Sequence, residues 1–330
     1  MAELDERGMV VKTLTIAGNA FRETVRQPVF CILVGIALVM IALSPSFAMF
    51  TLFDDVKLVK DMGLSTILLA GLLLAVLSAS TVVTEEVRGR TALMVVARPV
   101  GRWQFVLGKL LGIAHAQLTA AYLLSLMLVL TVRVGVPEAA YIKLDTAVIW
   151  GEVVACVLTL VVATAANYFL DKPFPSAVVF AAVLFFSLLF FGFGFVDKDL
   201  RPVAYLGAMD IEVLKACAAL FPMTLVLTAA AVALATRLSL VMNLVACFLF
   251  FALGTLSDYL FSGLAAAGRI LGVIPYALLP NFQVFWMGDA LSADSPIPGV
   301  YLGTVVGYGV LYSTALLFLG LYLFEAREIQ

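Results

Sequence analysis

Residues 29–50 read VFCILVGIALVMIALSPSFAMF and contain no charged side chain. A helix of about 20 residues crosses the hydrocarbon core of a bilayer, so this run is long enough to span it. Similar runs recur along the chain, in which 63% of the residues are hydrophobic and 13% are charged, against roughly a quarter charged in soluble domains. The mean hydropathy of +1.11 agrees. The sequence predicts an integral membrane protein.

Further apolar runs follow at regular intervals, bounded by charged and turn-forming residues. They lie at 64–84, 106–132, 146–170, 176–196, 217–236, 238–261 and 300–324. Together with the first run they predict an all-α, polytopic helical bundle of about eight transmembrane helices. Six is the alternative count, because the runs at 217–236 and 238–261 are separated by almost nothing.

A shorter apolar stretch lies at 270–279, interrupted by Pro275 and followed by Pro280. About ten helical residues cannot cross a bilayer. We therefore expect a re-entrant or interfacial segment within an outer loop at 262–298.

The positions of Lys and Arg predict the orientation, because cytoplasmic loops retain positive charge. With the N-terminus inside, twelve of the 20 Lys and Arg residues fall on the inner side. Both termini are then cytoplasmic, with a transmembrane domain at 29–324 and a short tail at 325–330. Residues 1–7 are polar and acidic, so no cleavable signal peptide is expected.

The segment before the first span, 1–28, has the pattern of an amphipathic helix. Its apolar residues recur at steps of three and four, at Val10, Leu14, Ala17, Phe21 and Val25. Such a helix would lie along the inner membrane surface with basic residues among the headgroups, and Pro28 would mark the break before the first span. The alternative is simply a longer first helix.

The loop after the second span, 85–109, reads EEVRGRTALMVVARPVGRWQFVLGK. An acidic pair leaves the membrane, a short apolar run follows, and Arg98-Pro99 ends that run because a residue before proline disfavours helical geometry. Apolar side chains at Leu93 and Val96 need a partner surface. The loop either docks a helix into a groove of a cytoplasmic protein or rests a helix on lipid.

This loop resembles the coupling-helix region of type-two ABC exporter permeases. The matching residues, in order, are Glu85, Glu86, Arg88, Gly89, Thr91, Leu93, Arg98, Pro99, Val100, Arg102, Trp103, Gly108 and Lys109. The resemblance implies that the ATPase is contacted within 85–105, by Glu85, Glu86, Arg88, Gly89, Thr91, Leu93, Val96, Arg98, Pro99 and Arg102. The family commonly has six spans in each subunit, so the predicted eight are a departure.

The resemblance implies a permease subunit in a bacterial cytoplasmic (inner) membrane that exports a substrate. Its expected partners are a cytoplasmic ABC ATPase, which would bind ATP and magnesium, and a second permease copy or homologue. The chain itself has no phosphate-binding loop, since Gly108-Lys109-Leu110 lacks the required pattern, and we expect neither a cofactor nor a catalytic site in it. The alternatives are a subunit that only transmits motion and an ion-coupled secondary transporter.

Several single residues have weaker patterns. The sole histidine, His115, is expected to be a packed or pore-facing polar residue, and Glu152 and Asp258 are expected near the interfaces. Gly-xxx-Gly spacing, which permits close helix contacts, occurs at Gly108 and again at Gly303. The four cysteines lack the close pairing of metal sites, and a net charge of −2 gives no support for nucleic-acid binding.

Overall fold

A computed structural model describes residues 2–48, 55–84, 101–136, 144–293 and 295–325. Within these ranges the chain forms helices and connecting turns, with one isolated β-bridge between Val196 and Pro202. The predicted all-α fold is confirmed.

The helices of the described ranges are numbered here in chain order. They are α1 Ala2–Arg26, α2 Pro28–Ala48, α3 Asp55–Ala79, α4 Arg102–Val134, α5 Thr146–Leu170, α6 Phe174–Phe193, α7 Ile211–Ala235, α8 Leu240–Ala266, α9 Ile270–Leu278, α10 Gly288–Ser292 and α11 Gly299–Glu325. A π-helical turn, Ser80–Thr84, extends α3, and a 3₁₀ turn, Phe282–Phe285, lies between α9 and α10.

Nine stretches of the described chain are long and apolar enough to cross a membrane. Eight of them are the continuous helices α2 to α8 and α11. The ninth, Ile270–Ser292, consists of α9, the 3₁₀ turn and α10. The runs at 217–236 and 238–261 form the separate helices α7 and α8, which leaves the alternative count of six without support.

The relative directions of α7 and α11 decide whether the ninth stretch crosses. A Cβ built on Gly309 would lie 2.6 Å from Cβ of Pro222, and one on Gly320 would lie 3.1 Å from Cβ of Ala233. The contacts advance in the same direction along both helices, so α7 and α11 run parallel. Helix α8 crosses back between them, so it ends on the side of the membrane where α11 begins. The stretch Ile270–Ser292 therefore enters and leaves the membrane on that one side. Eight crossings result.

The first half of this re-entrant segment runs back along α8. A Cβ on Gly272 would lie 2.4 Å from Cβ of Leu264, near the end of α8. Ten residues further on, the ring of Phe282 lies 5.6 Å from the ring of Phe250 in the middle of α8. The segment therefore descends about half the length of that helix.

The second half returns to the end of the bundle where the segment began. A Cβ on Gly288 would lie 2.9 Å from Oδ1 of Asp61, near the start of α3. The backbone N–H of Ile297 donates to Glu212 Oε2 at 2.7 Å, at the start of α7.

Two tyrosines of α11 supply hydrogen bonds at the turn of the re-entrant segment. The N–H of Asn281 donates to the Tyr308 hydroxyl at 2.9 Å, and the Tyr312 hydroxyl donates to the carbonyl of Leu279 at 3.3 Å. Non-helical backbone at membrane depth is stable only where protein or water satisfies its polar groups. These hydroxyls satisfy two of them.

Helix α7 lies at the centre of the bundle. In its apolar stretch 78% of the residues are buried, against 17% in α11. It packs against α3, α4, α8 and α11. The peripheral helices therefore present most of their apolar side chains to the surrounding membrane.

Helix α1 is present where the sequence predicts a helix, and α2 begins at Pro28. Its protein-facing side includes the buried residues Thr13, Ala20 and Thr24, whereas Val10 and Leu14 of the predicted apolar stripe are 58% and 60% exposed. The apolar stripe is shared between the bundle and an uncovered surface suited to lipid.

Helix α1 crosses α4 at its two glycines. A Cβ on Gly108 would lie 2.7 Å from the side chain of Ile16, and one on Gly112 would lie 2.4 Å from the carbonyl oxygen of Ala17 and 2.6 Å from Cβ of Ala20. Only glycine permits this approach, as the small-residue spacing predicts.

Candidate functional site

Most of the predicted coupling residues lie outside the described part of the chain. These are Glu85, Glu86, Arg88, Gly89, Thr91, Leu93, Val96, Arg98 and Pro99, whereas Arg102 is the first residue of α4. Their contact with an ATPase stays a prediction. The structure does describe both ends of the segment, namely the π-helical turn Ser80–Thr84 and the start of α4.

A buried amide fixes the turn that precedes the coupling segment. Asn243 of α8 is fully buried, and its Nδ2 donates to Ser80 Oγ at 3.0 Å and to the carbonyl of Ala231 in α7 at 3.2 Å. The thiol of Cys247 donates to the Oδ1 of the same amide at 3.4 Å. One side chain thus connects the end of α3 to both α7 and α8.

A second hydrogen bond joins the same turn to α1. Gln27, directly after α1, donates from Nε2 to Thr81 Oγ1 at 2.8 Å. π-helical turns are rare and occur often at functional sites. A displacement of Ser80–Thr84 would therefore act on α1, α7 and α8 together. The sequence analysis missed Gln27 and Asn243, although an isolated amide in an apolar run was a usable signal for Asn243.

The other end of the coupling segment is fixed through α4. The N–H of Gly101 donates to Gln104 Oε1 at 2.8 Å. Lys109, which is 4% exposed, lies 3.3 Å from Glu23 of α1. The ring of Phe105 stacks on Phe324 near the end of α11, with centroids 5.8 Å apart. Both described ends of the segment, α1 and the end of α11 thus lie at one end of the bundle.

A basic hollow of about 480 Å³ lies between α1, α5 and α6 at this end. Its lining includes Arg22, Arg26 and Lys172 together with apolar side chains such as Phe180. None of these three cations forms an ion pair with a carboxylate among the described residues. The hollow suits the headgroup region of a bilayer, where the sequence predicts the basic residues of α1.

A second hollow, of about 450 Å³, lies between α2, α4 and α5 at the opposite end. We call it the outer hollow. Its lining is Ala42, Pro45, Ser46, Met127, Thr131, Val134, Gly135, Leu144, Ile149, Glu152, Val153, Cys156 and Val157. Two of its polar atoms, Thr131 Oγ1 and Glu152 Oε1, are buried and have no hydrogen-bond partner.

Glu152 was expected near an interface, and the structure gives its place along α5. It lies six residues into α5, which begins at Thr146, and six helical residues rise about 9 Å. Glu152 lies on the side of α5 that lines the outer hollow, so it faces α2 and α4. An ionisable group that faces the interior of a membrane bundle is a marker of function.

A buried ion pair lies close to the outer hollow. Arg133 Nε and Asp145 Oδ2 are 2.9 Å apart, and both side chains are 1% exposed. Arg133 also donates to the carbonyl of Phe193, and Asp145 accepts from the N–H of Val148 at the start of α5. With the N-terminus inside, Arg133 belongs to the eight Lys and Arg residues that were expected in outer loops, but it packs inside the bundle, where Asp145 provides a counter-charge.

The remaining single-residue predictions have mixed outcomes. His115 is exposed on α4 and contacts the ring of Phe21 edge-on, with centroids 4.6 Å apart. Asp258 accepts a hydrogen bond from the Tyr276 hydroxyl at 3.1 Å. A Cβ on Gly303 would meet nothing within 4 Å, so this second small-residue motif is uncovered in the described chain.

The described residues include no group of three His, Cys, Asp or Glu side chains arranged to hold a metal ion. All four cysteines are free thiols, and Cys217 and Cys247 are buried as expected of packing residues, whereas Cys156 is exposed.

A scan against models of protein families finds no match to this chain, and a search of curated proteins likewise finds none.

Proposed function

We propose that this chain is the membrane-spanning permease subunit of an ABC transporter. The observation that carries the proposal is the ordered resemblance of residues 85–109 to the coupling region of type-two ABC exporter permeases. The polytopic bundle supports it, since such a subunit must provide the path across the membrane. ATP and magnesium would be bound by a separate cytoplasmic ATPase.

The hydrogen bonds at both ends of the coupling segment support a route for the motion. Pressure from the ATPase on 85–102 would move Ser80–Thr84, and Asn243 would pass this displacement to α7 and α8. Helix α4 would move with α1 through Lys109 and Glu23. The spans would then exchange between inward-facing and outward-facing arrangements.

The proposed assembly has a second permease copy or homologue in a bacterial inner membrane, with both termini cytoplasmic. The stacking of Phe105 on Phe324 supports termini on one side of the membrane. The open face of α11 at Gly303 supports a second permease, because uncovered small residues allow close helix association.

Two other functions compete with this proposal. A subunit of the same assembly that transmits motion without moving a solute would need the same coupling segment. An ion-coupled secondary transporter is favoured by one observation, the buried carboxyl of Glu152, because such proteins use ionisable groups inside the membrane.

The first test is whether an ABC ATPase is encoded next to this chain, and the second is co-purification of that ATPase with a variant of the coupling segment. Leu93→Asp with Val96→Asp should release the ATPase, because burial of an unpaired carboxylate in an apolar groove costs more than the about 2 to 7 kcal/mol of an uncharged polar group. Val10→Asp with Leu14→Asp is the matched control, since it places the same charges on an exposed apolar surface of α1. That variant should retain the ATPase.

Folding and insertion of both variants are checked by gel filtration in detergent. Retention of the ATPase by folded Leu93→Asp, Val96→Asp protein would overturn the coupling assignment. The milder change Glu85→Gln with Glu86→Gln should keep the ATPase bound while lowering stimulated ATP hydrolysis, which separates docking from signalling.

A further inference from the structure

The outer hollow contains a carboxyl with no partner. Glu152 Oε1 is buried and makes no hydrogen bond, and no cationic side chain among the described residues pairs with it. The guanidinium of Arg133 pairs with Asp145 at 2.9 Å and donates to the carbonyl of Phe193, and its buried Nη2 makes no hydrogen bond, to Glu152 or to any other group. An isolated carboxylate in apolar surroundings is unfavourable and ordinarily takes up a proton, so a cation that reaches the site from outside would stabilise the ionised form.

A hydroxyl in the same hollow is also unused. Thr131 is 2% exposed, and its Oγ1 has no hydrogen-bond partner. In a helix a threonine hydroxyl ordinarily bonds to a carbonyl one turn earlier, as Thr159 does with Ala155. Two buried polar atoms thus converge on one otherwise apolar space, which is the pattern of a ligand site.

The volume and the walls of the hollow restrict what it can hold. Its volume of about 450 Å³ falls in the range of small-molecule sites, about 300 to 1,000 Å³. Apolar side chains form most of the walls. Val153 and Val157 are 46% and 54% exposed at its rim, so a ligand can enter from the hydrocarbon region of the membrane. A small hydrated metal ion would leave these walls unfilled.

We propose that the outer hollow binds a lipophilic organic cation, with the Glu152 carboxylate facing its charge and the walls of α2, α4 and α5 covering its hydrocarbon body. Thr131 contributes a polar contact beside the charge. That the cation is a transported substrate rests on the proposed function. Binding of the cation does not depend on it.

The test measures equilibrium binding of tetraphenylphosphonium to the full chain in lipid nanodiscs, with empty nanodiscs subtracted. This probe has a permanent charge and no proton to exchange. Glu152→Gln keeps the shape and removes the charge, so binding should weaken at least about tenfold. Glu152→Asp keeps the charge and should retain most of the affinity. Thr131→Val should weaken binding less than Glu152→Gln does.

The matched control is Asp171→Asn at the other end of α5. Asp171 is exposed and has a positive φ of 51°, a conformation that asparagine also adopts. This variant loses one carboxylate outside the hollow and should bind the probe unchanged. Triphenylphosphine oxide, a neutral molecule that carries the same aryl groups, should compete far more weakly.

Equal binding by wild type and Glu152→Gln, or equal loss in Glu152→Gln and Asp171→Asn, would overturn the site. Equal competition by triphenylphosphine oxide and by unlabelled tetraphenylphosphonium would also overturn it, because the hollow would then select for size rather than charge. No ATPase is present in this experiment. A negative result would therefore leave the permease assignment intact, and loss of that assignment would leave the binding site intact.

Discussion

One added methyl group at Gly112 should displace α1 from α4. The new Cβ would lie 2.4 Å from the carbonyl oxygen of Ala17 and 2.6 Å from Cβ of Ala20. Both atoms are fixed to the backbone of α1, so no change of rotamer relieves the contact. Carbon atoms pack at about 3.5 to 4.0 Å, and α1 must therefore shift by about 1 Å.

The free energy of this displacement can be bounded. Overpacking of a tight contact costs about 1 to 3 kcal/mol. The higher helix propensity of alanine does not offset this cost, because α4 is helical whether or not α1 is docked. At the middle of the range the loss in docking of α1 is about 2 kcal/mol, which corresponds to about a 30-fold change in the docking equilibrium.

The assay is the rate at which a buried cysteine on α1 reacts with a maleimide. Thr24 is fully buried, so Thr24→Cys in a chain lacking the four native cysteines reacts only when α1 undocks. When α1 docks again faster than the maleimide reacts, the reaction rate follows the docking equilibrium, and Gly112→Ala should raise it about 30-fold. Gly18→Ala is the control, because a Cβ there meets nothing within 4 Å and should not speed the reaction. Equal rates in the two variants would refute the packing argument.

Two further predictions concern buried polar groups and use thermal unfolding, followed through exposure of Cys217. Asn243→Leu leaves Ser80 and a backbone carbonyl without their partner and should lower stability by about 1 to 3 kcal/mol; an unchanged unfolding temperature would count against this network. Asp145→Asn keeps a helix-capping side chain but leaves Arg133 buried without a counter-charge, and should cost about 3 to 5 kcal/mol. The double change Arg133→Met, Asp145→Leu should recover much of that loss, and failure to recover any would contradict the electrostatic explanation.

Much of the fold could be predicted because bilayer thickness fixes the length of an apolar helix. The segment containing Pro275 and Pro280 was predicted not to cross for the same reason, and it enters and leaves on one side. Its hydrogen bonds could not be predicted. Tyr308 and Tyr312 resemble other aromatic residues of a span until the rotation of α11 brings them to the turn.

The candidate sites could be predicted less well from the sequence, because the spacing of residues does not show which neighbour covers a helix face. The same Gly-xxx-Gly pattern begins at Gly108, which packs on α1, and at Gly303, which is uncovered. Hydropathy likewise placed Arg133 in an outer loop, whereas Arg133 is buried inside the bundle. Its burial depends on how α4 and α5 are rotated against each other.

The central position of α7 has a consequence for biosynthesis. Its neighbours α3 and α4 leave the ribosome before it, but α11, which covers Pro222 and Ala233, leaves long after it. Until α11 has been synthesised, one face of α7 contacts lipid or is covered by an insertion factor. A premature stop before Gly299 would make that exposure permanent, and such products should be prime substrates for membrane proteases even though every earlier helix is intact.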